Sequence, residues 1–294
     1  MKDDLGDRMK AYEAQETSRK FMPLLPVVAR LDGRCFSNFT YTMDRPYDVR
    51  MIKTMQETAE RLVKETGADI GYTQSDEITL IWNNNSLTSQ VFFNGKIFKL
   101  ISLAASLGTV YFNRFATNNM PGLMVDKAPV FDCRVYQTPN LMEAYNSLIW
   151  REQDAIRNSV QSLARSKFSH KECHRKNCKT LKTMLLTKGI NWHDYPTSYK
   201  CGTYYAKRRI TRPYTDSEVT SLPSGHPAKQ DPEFSVERSV VQKLDLPAMS
   251  SISNKIEVFR DGAIPIEKVS DEHGNGTQED QSKCVGVVGQ VEIQ

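Results

Sequence analysis

Residues 24–136 switch repeatedly between strand-like and helix-like hydrophobic periods, and few folds accommodate the order in which they do so. Residues 24–31 (Leu-Leu-Pro-Val-Val-Ala-Arg-Leu) are rich in apolar and β-branched side chains and stop at Asp32-Gly33. That is the pattern of a buried strand followed by a turn, where glycine permits a sharp path. After Arg45-Pro46-Tyr47-Asp48, the residues Val49, Ile52, Met55, Thr58, Ala59 and Leu62 recur at spacings of three and four, the helical period, and Gly67 marks the end. Residues 69–73 and 78–82 read as two short strands around the bend Gln74-Ser75-Asp76-Glu77. Residues 92–115 read as a second helix, whose Ala104, Ala105, Ser106 and Gly108 suit close packing on a sheet; Met120-Pro121-Gly122 breaks it. Residues 130–136 form a fourth strand, with Asp132 and Arg134 on the opposite face from Phe131 and Val135. Phe36 and Phe39, beside the first turn, read as core.

Strand, helix, strand, strand, helix, strand is the ferredoxin-like order, an α+β fold with an antiparallel sheet and helices on one face. The other face is expected to stay open for a site. In this topology the end of the first strand lies beside the bend between strands two and three, so Asp32 and Asp76 are expected to meet. Two carboxylates at strand ends make a hard oxygen site for Mg²⁺, and two such ions drive in-line phosphoryl chemistry. The Gly33 carbonyl would add a ligand. Asp76 and Glu77 repel each other unless a cation offsets them; by alternation Glu77 either reaches a metal from the side or holds a basic residue. Lys96 and Lys99 share a helix face, either along a triphosphate or in solvent. Arg30, Arg34 and Arg45 either neutralise phosphates or pair with Asp44 and Asp48. On a long helical stretch at 141–168, Arg151 and Asp154 are spaced for an internal ion pair, with Asn158 one turn on. The residues together point to a metal-dependent nucleotidyl transfer enzyme acting on RNA. Fold alone does not decide this: a palm-type nucleotide cyclase and a non-catalytic RNA-binding module use the same frame.

Charge is unevenly spread. Residues 165–212 carry 13 Lys or Arg against two acids, Glu172 and Asp194, whereas residues 213–294 carry 7 basic and 14 acidic residues. The basic block also holds Trp192, Tyr195, Tyr199, Tyr204 and Tyr205, a composition for contacting a phosphate backbone or for a solvated basic surface. Its candidate RNA contacts are Arg175, Lys176, Lys179, Lys207, Arg208 and Arg209. The expected organisation is a catalytic domain at 1–140, a helical basic region at 141–215, and a poorly patterned C-terminal extension at 216–294. Within that extension 270–283 has a disordered composition, and 253–265 has room for a strand or two.

Several classes drop out. No apolar run is long enough to span a membrane, and the acidic, polar start is neither a secretory signal nor a transit peptide. The six cysteines show no paired framework, which agrees with a cytoplasmic, reducing setting. Cys173-His174-x-x-x-Cys178 is half of a zinc site without its second knuckle.

Five segments carry a family resemblance: Arg30-Leu31-Asp32-Gly33-Arg34-x-Phe36-x-x-Phe39, then Arg45-Pro46-x-Asp48, Gln74-Ser75-Asp76-Glu77, Phe131-Asp132-x-Arg134-Val135 and Trp150-Arg151-x-x-Asp154. In this order they resemble the tRNA-His guanylyltransferase superfamily of 3′–5′ polymerases, over roughly residues 5–210. The resemblance implies a polymerase-like palm in which Asp32, the Gly33 carbonyl and Asp76 bind two Mg²⁺ and Glu77 supports them. Lys96 and Lys99 would lie along the triphosphate of an incoming nucleotide, with Ser75 and Arg45 positioning phosphates. GTP, ATP and other nucleoside triphosphates would be substrates, tRNA the partner, and the assembly a homotetramer. Two departures stand out. The eukaryotic histidine-specific enzymes carry His-Ile-Asn-Asn where this chain has Ile156-Arg157-Asn158-Ser159. The family's lysine in the second segment is Arg45, which keeps the charge but as a planar fork. The chain thus resembles the guanylyltransferase-like branch. That implies template-dependent repair of 5′-truncated tRNA, with addition of a single G to tRNA-His as the alternative.

Overall fold

The structure is a computed structural model and describes residues 3–125 and 127–268. Helix α1 (Asp4–Thr17) leads in to strand β1 (Val27–Gly33) and the short helix α2 (Phe36–Phe39). Helix α3 (Val49–Thr66) is capped at its start by the Asp48 side chain, which accepts from the Arg50 N–H, and at its end by Gly67 at φ 67°. The hairpin β2 (Ile70–Gln74) and β3 (Glu77–Trp82) follows, then α4 (Ile97–Asn119) and β4 (Phe131–Gln137). The second helix starts later than its composition suggests because Phe93, Asn94 and Gly95 all take left-handed backbone angles and break the path before Ile97.

These four strands run in the order β4-β1-β3-β2, all antiparallel, which is the ferredoxin-like arrangement. Beyond them come α5 (Leu141–Arg165), α6 (His170–Cys173), α7 (Cys178–Leu186) and α8 (Thr197–Lys200). The chain then re-enters the sheet as β5 (Thr203–Pro213) and, after α9 (Asp216–Ser221), as β6 (Ser235–Leu244), before α10 (Lys255–Asp261). β5 pairs with β2, and β6 with β5, giving six strands. The end of the basic block is sheet rather than helix, and 216–261 is largely built structure. The segment 270–283 lies outside the described residues.

Alternation sorts the sheet into two faces. Val27, Ala29, Leu31, Ile78, Leu80 and Trp82 pack under α3 and α4 with Phe36, Phe39, Phe112 and Phe131. Each fully buried Leu or Ile there contributes roughly 1.5–3 kcal/mol relative to exposure. Gly108 lets α4 approach: a Cβ at that position would stand 2.6 Å from Leu31 Cδ2. The second face is divided. Val28, Ile81, Ile70 and Ala206 form an apolar row covered by the first half of α5 (Ala144, Tyr145, Leu148, Ile149) and by Met249, Ile252, Val258 and Phe259. Four residues further along each strand, past Arg134, Arg30, Thr79 and Tyr72, the row is polar: Asp132, Asp32, Glu77 and Gln74, side by side on four strands. So the open face is only the end that carries acids, and the second half of α5 runs past it to join α6 and α7 in a separate apolar cluster with Trp192.

Candidate active site

The acidic end is fixed by backbone hydrogen bonds. Gly33 N–H donates to the Asp76 carbonyl at 3.0 Å, and Arg34 N–H to the Val130 carbonyl at 2.9 Å. The β2–β3 bend turns through Ser75 at φ 49°. Asp32 and Asp76 thus lie on neighbouring strand ends and line one cavity of about 360 Å³ with Arg30, Ser75, Glu77, Trp150, Arg151, Asp154 and Asn158. Burial pushes the Asp76 carboxyl above its ordinary range, and the nearby Asp32 charge adds to the rise. Asp32 has a loose cation at 3.8 Å, Arg134, which is also 3.7 Å from Asp132. Gly33 is closed on its other side by the Phe36 ring, which a Cβ would strike.

Glu77 is nearly buried, at 5% exposure, and its partner comes from α5. Arg151 Nε donates to Glu77 Oε1 at 2.7 Å, and Arg151 Nη2 to Asp154 Oδ2 at 3.0 Å. Asp154 also accepts from Arg157 and, at 3.4 Å, from Asn158 Nδ2. Of the two roles expected for Glu77, the structure assigns it the holding of a basic residue. Burial raises its carboxyl while Arg151 lowers it. Trp150 is flanked by the Arg151 guanidinium at 4.6 Å and that of Arg30 at 5.5 Å. Arg30 Nε is buried without a hydrogen-bond partner, a donor left over beside the acidic pair.

A second cavity of about 210 Å³ adjoins the first through Ser75 and Asn158. Arg45, Tyr47, Met43, Met51, Tyr199 and Ser162 contribute to its walls, and Tyr47 stacks on Tyr199 at 4.5 Å between ring centroids. Sequence reasoning missed Gln74, Trp150 and Tyr199 as walls, and the Glu77–Arg151 clamp. The polar residues 151, 154, 158, 162 and 165 fall at helical spacing along α5, the one signal that could have pointed to it.

Other candidates lie elsewhere. Lys96 and Lys99 stand at the far end of the sheet: Ile97 N–H bonds Arg19, Phe21 N–H bonds Gly95, and Met22 N–H bonds Gln137, which pairs with Val27. Val27 and Asp32 are the two ends of one strand, about 17 Å apart at strand rise, and α4 packs on the face opposite the acids. Within one chain these lysines therefore stand away from Asp32. Arg34 is exposed beside the turn. Lys207 is held by Asp69 at 3.1 Å and by the Gly67 carbonyl, Arg208 by the carbonyls of Val258 and Phe259, and Arg209 by Glu237 at 3.2 Å. Lys207 and Arg208 spend their charges within the fold, whereas the Arg209–Glu237 pair lies on the surface. Arg175, Lys176 and Lys179 have no carboxylate partner among the described residues.

A family model described as tRNAHis guanylyltransferase (Thg1) matches residues 6–139. A bacterial tRNA(His) guanylyltransferase (Thg1)-like protein solved in complex with ATP matches with a TM-score of 0.64 at 34% identity, over 70% of this chain and 87% of its own. The chain belongs to the Thg1 family. It is a nucleotidyltransferase of that family. A bacterial Thg1-like protein in complex with GTP gives a TM-score of 0.63 at 28% identity, over 84% of this chain and 94% of its own. An uncharacterized protein of Acanthamoeba polyphaga mimivirus is 34% identical over 241 residues, 74% of this chain and 82% of the viral one.

In this Thg1-family chain the segment after Asp154 is used structurally. Ile156 packs against the cluster around Val160, Leu163 and Trp192. Ser159 accepts from Trp192 Nε1 at 3.1 Å, and its carbonyl from the Tyr199 hydroxyl at 2.6 Å. Asn158 lines both cavities, and Ser159 lines the second. The donor set at the acidic end fits a hard divalent cation. Two carboxylates converge, Asp76 has no ion pair among the described residues, and no third His, Cys, Asp or Glu completes a closed cage there. Mg²⁺ is commonly held this way, by one or two carboxylates with the remaining positions left to water and substrate phosphates. No described helix is long and apolar enough to cross a membrane.

Proposed function

We propose that this chain extends the 5′ end of tRNA in the 3′–5′ direction, copying the opposite acceptor strand to repair 5′-truncated molecules. The observation that carries the proposal is the meeting of Asp32 and Asp76 at an open cavity beside an unsatisfied Arg30 donor. In the reaction, the 3′-hydroxyl of a nucleoside triphosphate attacks the activated 5′ phosphorus of the RNA. A new O3′–P bond forms, the bond to pyrophosphate or AMP breaks, and the hydroxyl proton is lost to solvent. Asp32 and Asp76, with the Gly33 carbonyl, would hold two Mg²⁺, which lower the hydroxyl pKa and stabilise charge on the phosphate and leaving group.

This chain's own residues do the rest. Arg30 lines the cavity and brings its guanidinium charge to a phosphate beside the acids. Arg151, clamped by Glu77 and Asp154, fixes Trp150 and the wall opposite. The cavity at Tyr47 and Tyr199 takes the nucleoside, with Arg45, Ser75 and Asn158 between it and the acids; ATP and GTP are the expected occupants. Because Ile156 and Ser159 are committed to packing, a reading confined to tRNA-His has no histidine to carry it. Pairing with the opposite strand then selects the nucleotide. The exposed stripe Leu5, Met9 and Tyr12 on α1, which buries no residue, offers an apolar surface for self-association, with a homotetramer the expected assembly.

The test is Mg²⁺-dependent incorporation of labelled nucleotide into a 5′-truncated, 5′-triphosphorylated tRNA. Asp32→Ala and Asp76→Ala are each expected to lose at least about 10³-fold in rate, the scale of several kcal/mol of charge stabilisation. Near-normal extension by either variant would refute the metal assignment.

A further inference from the structure

None of the nine lysines and arginines between Arg165 and Lys200 forms an ion pair among the described residues, whereas Lys207, Arg209 and Arg212 all do. Three of the unpaired cations converge. Arg165, Arg175 and Lys176, with His170 and His174, line a cavity of about 220 Å³ between the end of α5 and the α6–α7 turn, and no carboxylate is among its walls. The nearest acid in sequence, Glu172, is occupied: it accepts from the Ser169 N–H at 2.8 Å and from the Ser169 hydroxyl at 2.6 Å as a capping box. Lys176 Nζ has only the Met184 sulfur, at 3.1 Å. Arg175 sits at φ 58°, a left-handed backbone that costs a non-glycine residue free energy. A cavity walled by guanidinium, ammonium and imidazole donors, with nothing anionic inside it, is built for a phosphate group.

Its place relative to the acids limits which phosphate. A depression of about 530 Å³ runs between the two sites. It shares Ser75 and Asn158 with the catalytic cavity and Gln161 and Arg165 with the cationic one, so the surface is continuous along α5. Seven residues of helix separate Asn158 from Arg165, about 10 Å at helical rise. A span of that length reaches only the first few phosphates of an RNA strand whose 5′ end sits at the acids.

We propose that the cavity at Arg165, His170, His174, Arg175 and Lys176 binds one internal phosphodiester of the RNA strand undergoing 5′ extension, a few nucleotides in from the reacting end. The proposal rests on the reaction above for the direction of the strand. It supplies a second anchor, so that strand position is set by two points along α5 rather than by a diffuse basic field.

The test uses an acceptor-stem duplex with a 5′-triphosphate. One phosphodiester at a time among the first six of the 5′ strand is replaced by a neutral methylphosphonate, and binding to the full chain is followed by fluorescence anisotropy. The wild type is expected to lose about 5- to 10-fold in affinity for one replacement two to four nucleotides in. The double variant R175Q/K176Q is expected to bind the all-phosphate duplex more weakly, to show a salt slope lower by about two, and to lose nothing further at that position. K167Q/K171Q removes the same charge outside the cavity and should keep the position-specific loss. GTP affinity should be unchanged in R175Q/K176Q. A uniform profile along the strand, a position-specific loss that survives in R175Q/K176Q, or a loss of GTP affinity in that variant would each overturn the assignment. Templated addition is scored separately on the same duplex. A position-specific loss without addition would refute the reaction and keep the anchor; addition with a flat profile would do the reverse.

Discussion

Asp76 costs the fold something when no cation is bound. Its carboxyl sits above its ordinary value of 3.8 through burial first and Asp32 second. A carboxyl raised in the folded state favours folding most below the unfolded value, and that contribution is lost as pH rises through the folded one. Asp76→Asn is therefore expected to raise the Tm at pH 7 in metal-free buffer, with the gap closing as the pH falls towards 4. Added Mg²⁺ should raise the Tm of the wild type and not of the variant, because only a species that binds the folded state gains stability. Equal melting of the two proteins at pH 7 without metal would contradict this. Glu77 makes the complementary case. Arg151→Ala leaves a buried carboxylate without its cation, and urea titration is expected to show a loss of about 3–5 kcal/mol, part of it recovered by adding Glu77→Gln. The acidic pair was legible in the sequence because both carboxylates end a strand in a recognisable order. The Glu77–Arg151 bond was half legible: alternation said that Glu77 would meet a metal or a base, and nothing local named a partner 74 residues away.

At the scale of elements, α4 and α5 set the site from opposite faces. α4 presses on β1 through Gly108, so Gly108→Val forces a side chain into the space of Leu31 Cδ2. The expected cost is about 1–3 kcal/mol in chemical denaturation, with nucleotide addition reduced by more than that stability loss explains, since Asp32 is the next residue. α5 packs its first half on the sheet and presents Arg151, Asp154 and Asn158 to the acids in its middle. The hairpin of β5 and β6 is the element the sequence hid. No residue of β6 is fully buried, so its alternation has little apolar contrast, and Lys207-Arg208-Arg209 reads as a surface charge run. Packing shows why the run is there: Arg208 donates to the last carbonyls of α10 at 2.7 and 2.8 Å. Arg208→Ala is expected to lower stability by about 1–3 kcal/mol and leave the salt dependence of RNA binding unchanged; a reduced salt slope would return Arg208 to the RNA surface.

Across the whole molecule, one face of one sheet passes from an apolar row that holds α5 in place to an acidic row that meets solvent, and the unpaired cations lie beyond it along the same helix. The net charge of +4 conceals this arrangement, because Glu218 and Glu237 pair with arginines of β5 and β6, while the segment from Arg165 to Lys200 has no carboxylate partner among the described residues. The central claim is that base pairing with the opposite strand, and not a fixed preference for G, chooses what is added. It is tested most directly with a set of tRNAs that lack their first 5′ nucleotide, carry a 5′-triphosphate and differ only in the facing 3′-strand base, each supplied with the four nucleoside triphosphates separately. The account predicts that the added nucleotide is the complement of that base in every case. Addition of G regardless of the facing base would contradict it.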